Sequence, residues 1–127
     1  MLKFKEMKVS SSKFRERNDC AVIALAIASG KNYEEARQIL KKNGRQDRKG
    51  TYRYTIQKSV LEVNPNAEFE YITKPCGGQY TSRTIGKALP KGNYIVLFSG
   101  HAAAMVDGVI EDWSDGRCMR VQEIIKL

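Results

Sequence analysis

Eight consecutive apolar residues, Ala21-Val22-Ile23-Ala24-Leu25-Ala26-Ile27-Ala28, constrain this chain more than any other stretch. They follow Cys20 and end at Ser29-Gly30. Asn18 or Asp19 can cap a helix here, and Gly30 can supply its left-handed stop. A helix that is apolar on every face has to be enclosed on every side, so it is expected at the centre of the molecule. Eight residues fall far short of the ~20 that span a bilayer, so the run reads as core and no membrane partner is expected.

The rest of the chain supplies what encloses that helix. Residues 2–9 alternate apolar and charged side chains and read as a short strand, left by Ser10-Ser11-Ser12. Asn32 and Glu35 form a capping-box pair opening a second helix, with Ala36, Ile39 and Leu40 on one face and Gly44 at its end. Residues 51–63 carry Ile56, Val60 and Val63 at helical spacing and break at Asn64-Pro65-Asn66. Residues 67–72 alternate as a strand, Cys76-Gly77-Gly78 is a loop, and 82–89 is a small helix halted before Pro90. Strands are expected over 94–98, 102–106, 109–113 and 118–125. Helices first and strands last predict an α+β fold, N-terminal helices packed on a C-terminal antiparallel sheet. At 127 residues, one domain over 1–127 is expected.

Lysine and arginine number 22 against 14 acidic residues, a formal net charge of +8 that favours acidic partners. One concentration is the N-terminal arm with Lys3, Lys5, Lys8, Lys13, Arg15 and Arg17. The other is a stretch with Lys41, Lys42, Arg45, Arg48 and Lys49, extended by Arg53, which reads as a flexible basic loop for docking an acidic partner. Tyr52 and Tyr54 could stack on bases, but two tyrosines are a weak signal, and nucleic acid is the less favoured partner. Three widely spaced cysteines argue against a disulfide scaffold and for a reducing, cytoplasmic setting, with Cys76 and Cys118 read as structural. The N-terminus lacks the apolar run of a signal peptide. No close-spaced ligand pair marks a zinc site, so neither a metal nor another cofactor is expected.

Chemistry concentrates on Cys20 and the only histidine, His101. A thiol at a helix start meets unpaired N–H groups and the positive end of the helix dipole, both of which favour thiolate. An imidazole nearby completes the parts of a cysteine nucleophile system. Asp107-Gly108 favours a two-residue hairpin loop, which pairs Val106 with Val109, Met105 with Ile110, Ala103 with Asp112, and His101 with Ser114. In that register Asp112 shares a face with His101 one diagonal step away, while Glu111 and Asp115 face oppositely. The hairpin thus selects Asp112 to orient the imidazole. Trp113 reads as packing over the end of the core. The backbone N–H of Cys20 is one oxyanion donor.

Asn18-Asp19-Cys20 before an alanine-rich helix, a late Gly100-His101 and a hairpin to Asp112 resemble a papain-like cysteine peptidase. The pattern is similar to the small peptidase domains of bacteriocin exporters, which cleave double-glycine leader peptides. That family's Asp-Cys-Gly helix start, its Gly-Thr after the second helix and its late His and Asp match Asp19-Cys20-Ala21, Gly50-Thr51, His101 and Asp112. The match covers about residues 15 to 125. The resemblance implies a papain-like fold with Cys20 as nucleophile, His101 as general base and acid, and Asp112 as the orienting residue. It implies hydrolysis of a peptide, isopeptide or related amide bond through an acyl-enzyme, on a peptide or protein substrate. Two positions depart from the pattern. Ala21 stands where the family has glycine, and Phe14 stands where papain-like enzymes place the oxyanion-hole glutamine. Asn18 is the candidate substitute donor. The missing glutamine also supports an alternative, a catalytically weak or inactive papain-like module that docks an acidic protein or nucleic acid by its basic surface.

Overall fold

The computed structural model describes residues 3–127. Its helices are α1 (Phe4–Lys13), α2 (Cys20–Ser29), α3 (Tyr33–Lys42), α4 (Arg53–Val63) and the single turn α5 (Ile85–Ala88). Its strands are β1 (Glu68–Tyr71), β2 (Asn93–Phe98), β3 (His101–Val106), β4 (Val109–Glu111) and β5 (Val121–Lys126). The strands form one antiparallel sheet in the order β1-β5-β2-β3-β4. The architecture is α+β, as the segregation of helices and strands along the chain predicts.

The apolar helix is the centre of the structure. Every residue from Ala21 to Ala28 is buried, and Gly30 ends the helix in the left-handed region with φ of 74°. α2 lies on one face of the sheet, against Ile95, Leu97, Ala102, Ala104 and Ile125, with α1, α3 and α4 packed around it. The opposite sheet face buries Val96, Ala103, Met105, Val121 and Ile124 under Ile85 of α5 and the flanking Tyr80 and Leu89. Burying each Val, Leu or Ile contributes on the order of 1.5–3 kcal/mol, so the central helix and the two middle strands supply most of the cohesion. α3 opens with the expected capping box, Asn32 Oδ1 accepting from Glu35 N at 2.8 Å.

One element departs in kind. The alternation over residues 2–9 predicts a strand, and α1 is there instead; Leu2 lies outside the described residues. Eight residues are too few to separate a period of 2 from one of 3.6 when tertiary packing decides the outcome. Phe4, Met7, Ser11 and Phe14 fall on one helical stripe and meet the core, whereas Val9 is exposed. The three serines belong to the last turns of that helix rather than to an exit loop.

Other departures concern length. β1 is an edge strand with every residue exposed, so its alternation has no buried face. Residues 118–120 are loop apart from a lone bridge of Arg120 to Thr81, and β5 starts at Val121. Asp107 and Gly108 both take positive φ, 48° and 82°, as a tight two-residue hairpin turn requires. The resulting register pairs Val106 with Val109 and Met105 with Ile110. β4 stops at Glu111, so the ladder pairs of Ala103 with Asp112 and of His101 with Ser114 do not form. Among the described residues, no helix is long and apolar enough to cross a membrane.

α5 seats on that hairpin turn through two glycines. A Cβ at Gly86 would stand 2.0 Å from the Gly108 carbonyl oxygen, a backbone atom that cannot swing away. Gly86→Ala is expected to destabilise the fold by about 1–3 kcal/mol through overpacking, read as a lower urea midpoint with an unchanged slope.

Candidate active site

Cys20 is the first residue of α2, preceded by Asp19 at the N-cap. Aspartate is among the best capping residues, yet this one makes no cap hydrogen bond. Its Oδ2 instead accepts from the Tyr33 hydroxyl at 2.7 Å, in the core between α2 and α3. Burial, and then this carboxylate, push the tyrosine's pKa up, so the hydroxyl stays a donor. The first backbone bond of the helix runs from Ile23 N to Asp19 O. The N–H groups of its opening turn are thereby left without a side-chain cap beside the thiol.

His101 opens β3 opposite Phe98, at the end of the β2–β3 pair. Its Nε2 is 2.7 Å from Asp112 Oδ2, and the Cys20 thiol lies near enough to the ring to raise its pKa. The same Asp112 oxygen accepts from Ser114 N at 3.0 Å and Ser114 Oγ at 2.6 Å. Rings close on the imidazole from Phe98, at 5.9 Å between centroids, and from Trp113, at 4.6 Å. Burial alone would depress the imidazole's pKa. The hydrogen bonds to Asp112 and then Cys20, with the charges of both, outweigh it and raise the value to about 9. His101 is therefore an imidazolium at neutral pH.

The three predicted residues thus meet, although Asp112 arrives by another route than the strand register. It sits in the bend just beyond β4, held by Ser114 in an Asp-x-Ser turn. Trp113 covers the imidazole, not the end of the core. Cys76 and Cys118 are free and exposed, which removes them from any core role.

Cys20, His101 and Asp112 line a cleft of about 950 Å³. Gly50 and Thr51 line its wall, and so does Asn18. The Asn18 side chain is exposed and its Nδ2 lies 3.5 Å from the Arg48 carbonyl oxygen, so its amide is only loosely engaged. Phe14 cannot act as a polar donor. It stacks on Tyr33 at 5.8 Å, with the Arg37 guanidinium 4.9 Å from its ring centre.

The basic stretch differs most from expectation. Arg45 is not a docking residue: its side chain is fully buried and pairs with the fully buried Glu16 at 2.9 Å. Lys41 pairs with Asp47 at 3.3 Å and Lys42 with Glu62 at 3.1 Å, while Arg53 bonds Gln122 and lies 3.7 Å from Glu123. Of the six predicted docking cations, only Arg48 and Lys49 are exposed without an ion pair among the described residues. The stretch folds back because acidic partners sit within reach in the α1–α2 connection, in the loop after α3, on α4 and on β5.

Glu16 is the centre of that fold-back, and no local sequence signal marks it. Its carboxylate accepts from Arg37 at 2.8 Å, from Arg45 and from the Arg48 backbone N–H at 2.8 Å. Burial would raise its pKa, but these three donors hold it down to about 2. Among the described residues, three of the four non-glycine residues with positive φ, Arg15, Asn18 and Arg48, belong to the two segments it joins. Residues held in that region cluster where surrounding structure overrides local preference. Ser114, expected as the strand partner of His101, instead bonds Asp112, and a serine two places after an aspartate is an Asx-turn signal.

Comparison with protein-family models, with curated proteins and with solved structures returned no match.

Glu16→Gln leaves buried Arg45 without its counter-charge and is expected to lower stability by about 3–5 kcal/mol. Because folding depresses the Glu16 pKa, its contribution is complete above about 4.5 and is lost as the pH falls towards about 2. Urea midpoints measured through that interval should fall in the wild type, with the part due to Glu16 missing from Glu16→Gln.

Proposed function

We propose that this chain is a papain-like cysteine hydrolase that cleaves a peptide, isopeptide or related amide bond. The observation that carries the reading is His101, bonded to the Asp112 carboxylate in the cleft that also holds the Cys20 thiol, with its pKa raised to about 9. A carboxylate that stabilises imidazolium beside a thiol at a helix start is the arrangement that thiolate attack requires.

The thiolate attacks the carbonyl carbon, and the resulting oxyanion is received by the N–H of Cys20 and the Asn18 amide. His101 gives its proton to the leaving amine, and the acyl group stays on sulfur. Water then attacks the thioester, His101 takes its proton, and the acid leaves with the thiolate restored. Asp112 and Ser114 keep the ring oriented throughout, while Phe98 and Trp113 restrict water at its faces. The second reading, a non-catalytic docking module, draws on the absence of a glutamine at Phe14. It predicts an ordinary thiol at Cys20.

The decisive experiment is the rate of Cys20 alkylation against pH in a Cys76→Ser/Cys118→Ser background. Reactivity persisting well below the ordinary thiol range, and displaced by His101→Ala, supports the hydrolase. An ordinary thiol indifferent to His101 overturns it.

The single histidine also gives one imidazole resonance. Its midpoint should lie near pH 9. Asp112→Asn removes the largest raising influence and should move that midpoint down, further than Cys20→Ala does. Hydrolysis, which needs the imidazolium as acid, should decline as pH rises through about 9 and decline earlier in Asp112→Asn. Once a substrate is found, Asn18→Ala should lower kcat by roughly two to three orders of magnitude with little change in KM.

A further inference from the structure

The cleft lies at the end of the β2–β3 pair and is lined by residues of α1, the start of α2 and the loop before α4. α1 reaches the β4 side: Phe4 N–H bonds Glu111 Oε1 at 3.2 Å, and Lys8 lies one turn further along the same helical face. α4 reaches the β5 side, where its first residue, Arg53, bonds Gln122. β4 and β5 flank the β2–β3 pair whose end carries His101. Lys8 on α1 and Lys49 in the loop before α4 both line the cleft that holds the Cys20 thiol.

The exposed charges in the cleft that have no partner are cations. The two carboxylates in the cleft, Asp19 and Asp112, are committed to Tyr33 and to His101 with Ser114. Arg45 is spent on Glu16 and Arg53 is offset by Glu123. Lys8 and Lys49 line the cleft, are exposed, and make no ion pair among the described residues. Unpaired cations in a cleft concentrate ligands of the opposite sign.

We propose that the cleft selects an acidic polypeptide, with Lys8 and Lys49 meeting carboxylates of the segment presented to Cys20. The proposal rests on the hydrolase reading and deepens it. It also relocates acidic recognition from the 41–45 region, which is internally neutralised, to a residue on α1 and one on the loop before α4. Two free cations fit a short carboxylate-bearing segment; a nucleic-acid groove needs a longer track of them to follow successive phosphates.

The test uses the full chain carrying Cys20→Ala, so that binding is read without turnover. Fluorescence anisotropy compares a decapeptide of alternating glutamate and glycine with its glutamine counterpart, and with a single-stranded thymidine decanucleotide. The glutamate peptide should bind roughly tenfold tighter than the glutamine one, with the preference weakening as salt rises. Lys8→Glu/Lys49→Glu should abolish that preference. Lys87→Glu/Lys91→Glu, which removes the same net charge outside the cleft, should preserve it.

Equal binding of the two peptides overturns the proposal. So does equal loss in the control pair, which would trace the preference to net charge alone, and so does tighter, Lys8- and Lys49-dependent binding of the oligonucleotide. Failure of the hydrolase reading appears separately, as an ordinary thiol in the Cys20 alkylation experiment.

Discussion

A single buried carboxylate, that of Glu16, ties together the parts of this structure that have no hydrophobic reason to meet. It joins the α1–α2 connection to Arg37 on α3 and to Arg45 and Arg48 in the following loop. A buried ion cluster is a poor source of net stability, because desolvation takes back most of what attraction contributes. Its effect is on register: bonds to two guanidinium groups and a backbone N–H leave the loop few alternative positions. The cleft wall that carries Asn18, Lys49 and Gly50 inherits its shape from this point. That wall can hold left-handed backbone at Asn18 and Arg48 because the cluster fixes the chain on both sides.

The elements most legible in the sequence are those whose signal is local and strong. Eight apolar residues closed by Gly30 leave the chain no choice but a buried helix, and Asn32 with Glu35 mark the next helix start by their own hydrogen bonds. The Asp107-Gly108 turn sets the β3–β4 register for the same reason. α1 was illegible because its short period-2 pattern is equally compatible with Phe4, Met7 and Ser11 on one helical face, and only α2 and α3 decide between them. The early end of β4 at Glu111 was hidden too, since Asp112 is claimed by His101 and Ser114 rather than by a strand partner.

Within the candidate site, the thiol, imidazole and carboxylate were legible because each carries chemistry and each lies beside a recognisable start or turn. What could not be read was the pairing of charges. A string of cations at 41–53 looks like a docking surface until Glu16, Asp47, Glu62 and Glu123 are found opposite four of them, all distant enough in sequence that no spacing rule connects them. Lys8, concealed in a segment expected to be a strand, becomes a cleft residue once α1 is a helix. Misreading one short element therefore displaced the inferred recognition surface as well as the local fold.

The contact of Trp113 with His101 has a consequence of its own. The chain has one tryptophan and one histidine, with ring centres 4.6 Å apart. An excited indole passes charge readily to a neighbouring imidazolium and poorly to a neutral imidazole, so the native emission of the protein is tied to a single proton. The molecule carries its own optical gauge of that proton, one that needs neither label nor substrate. Its intensity should rise as the ring is neutralised on the alkaline side.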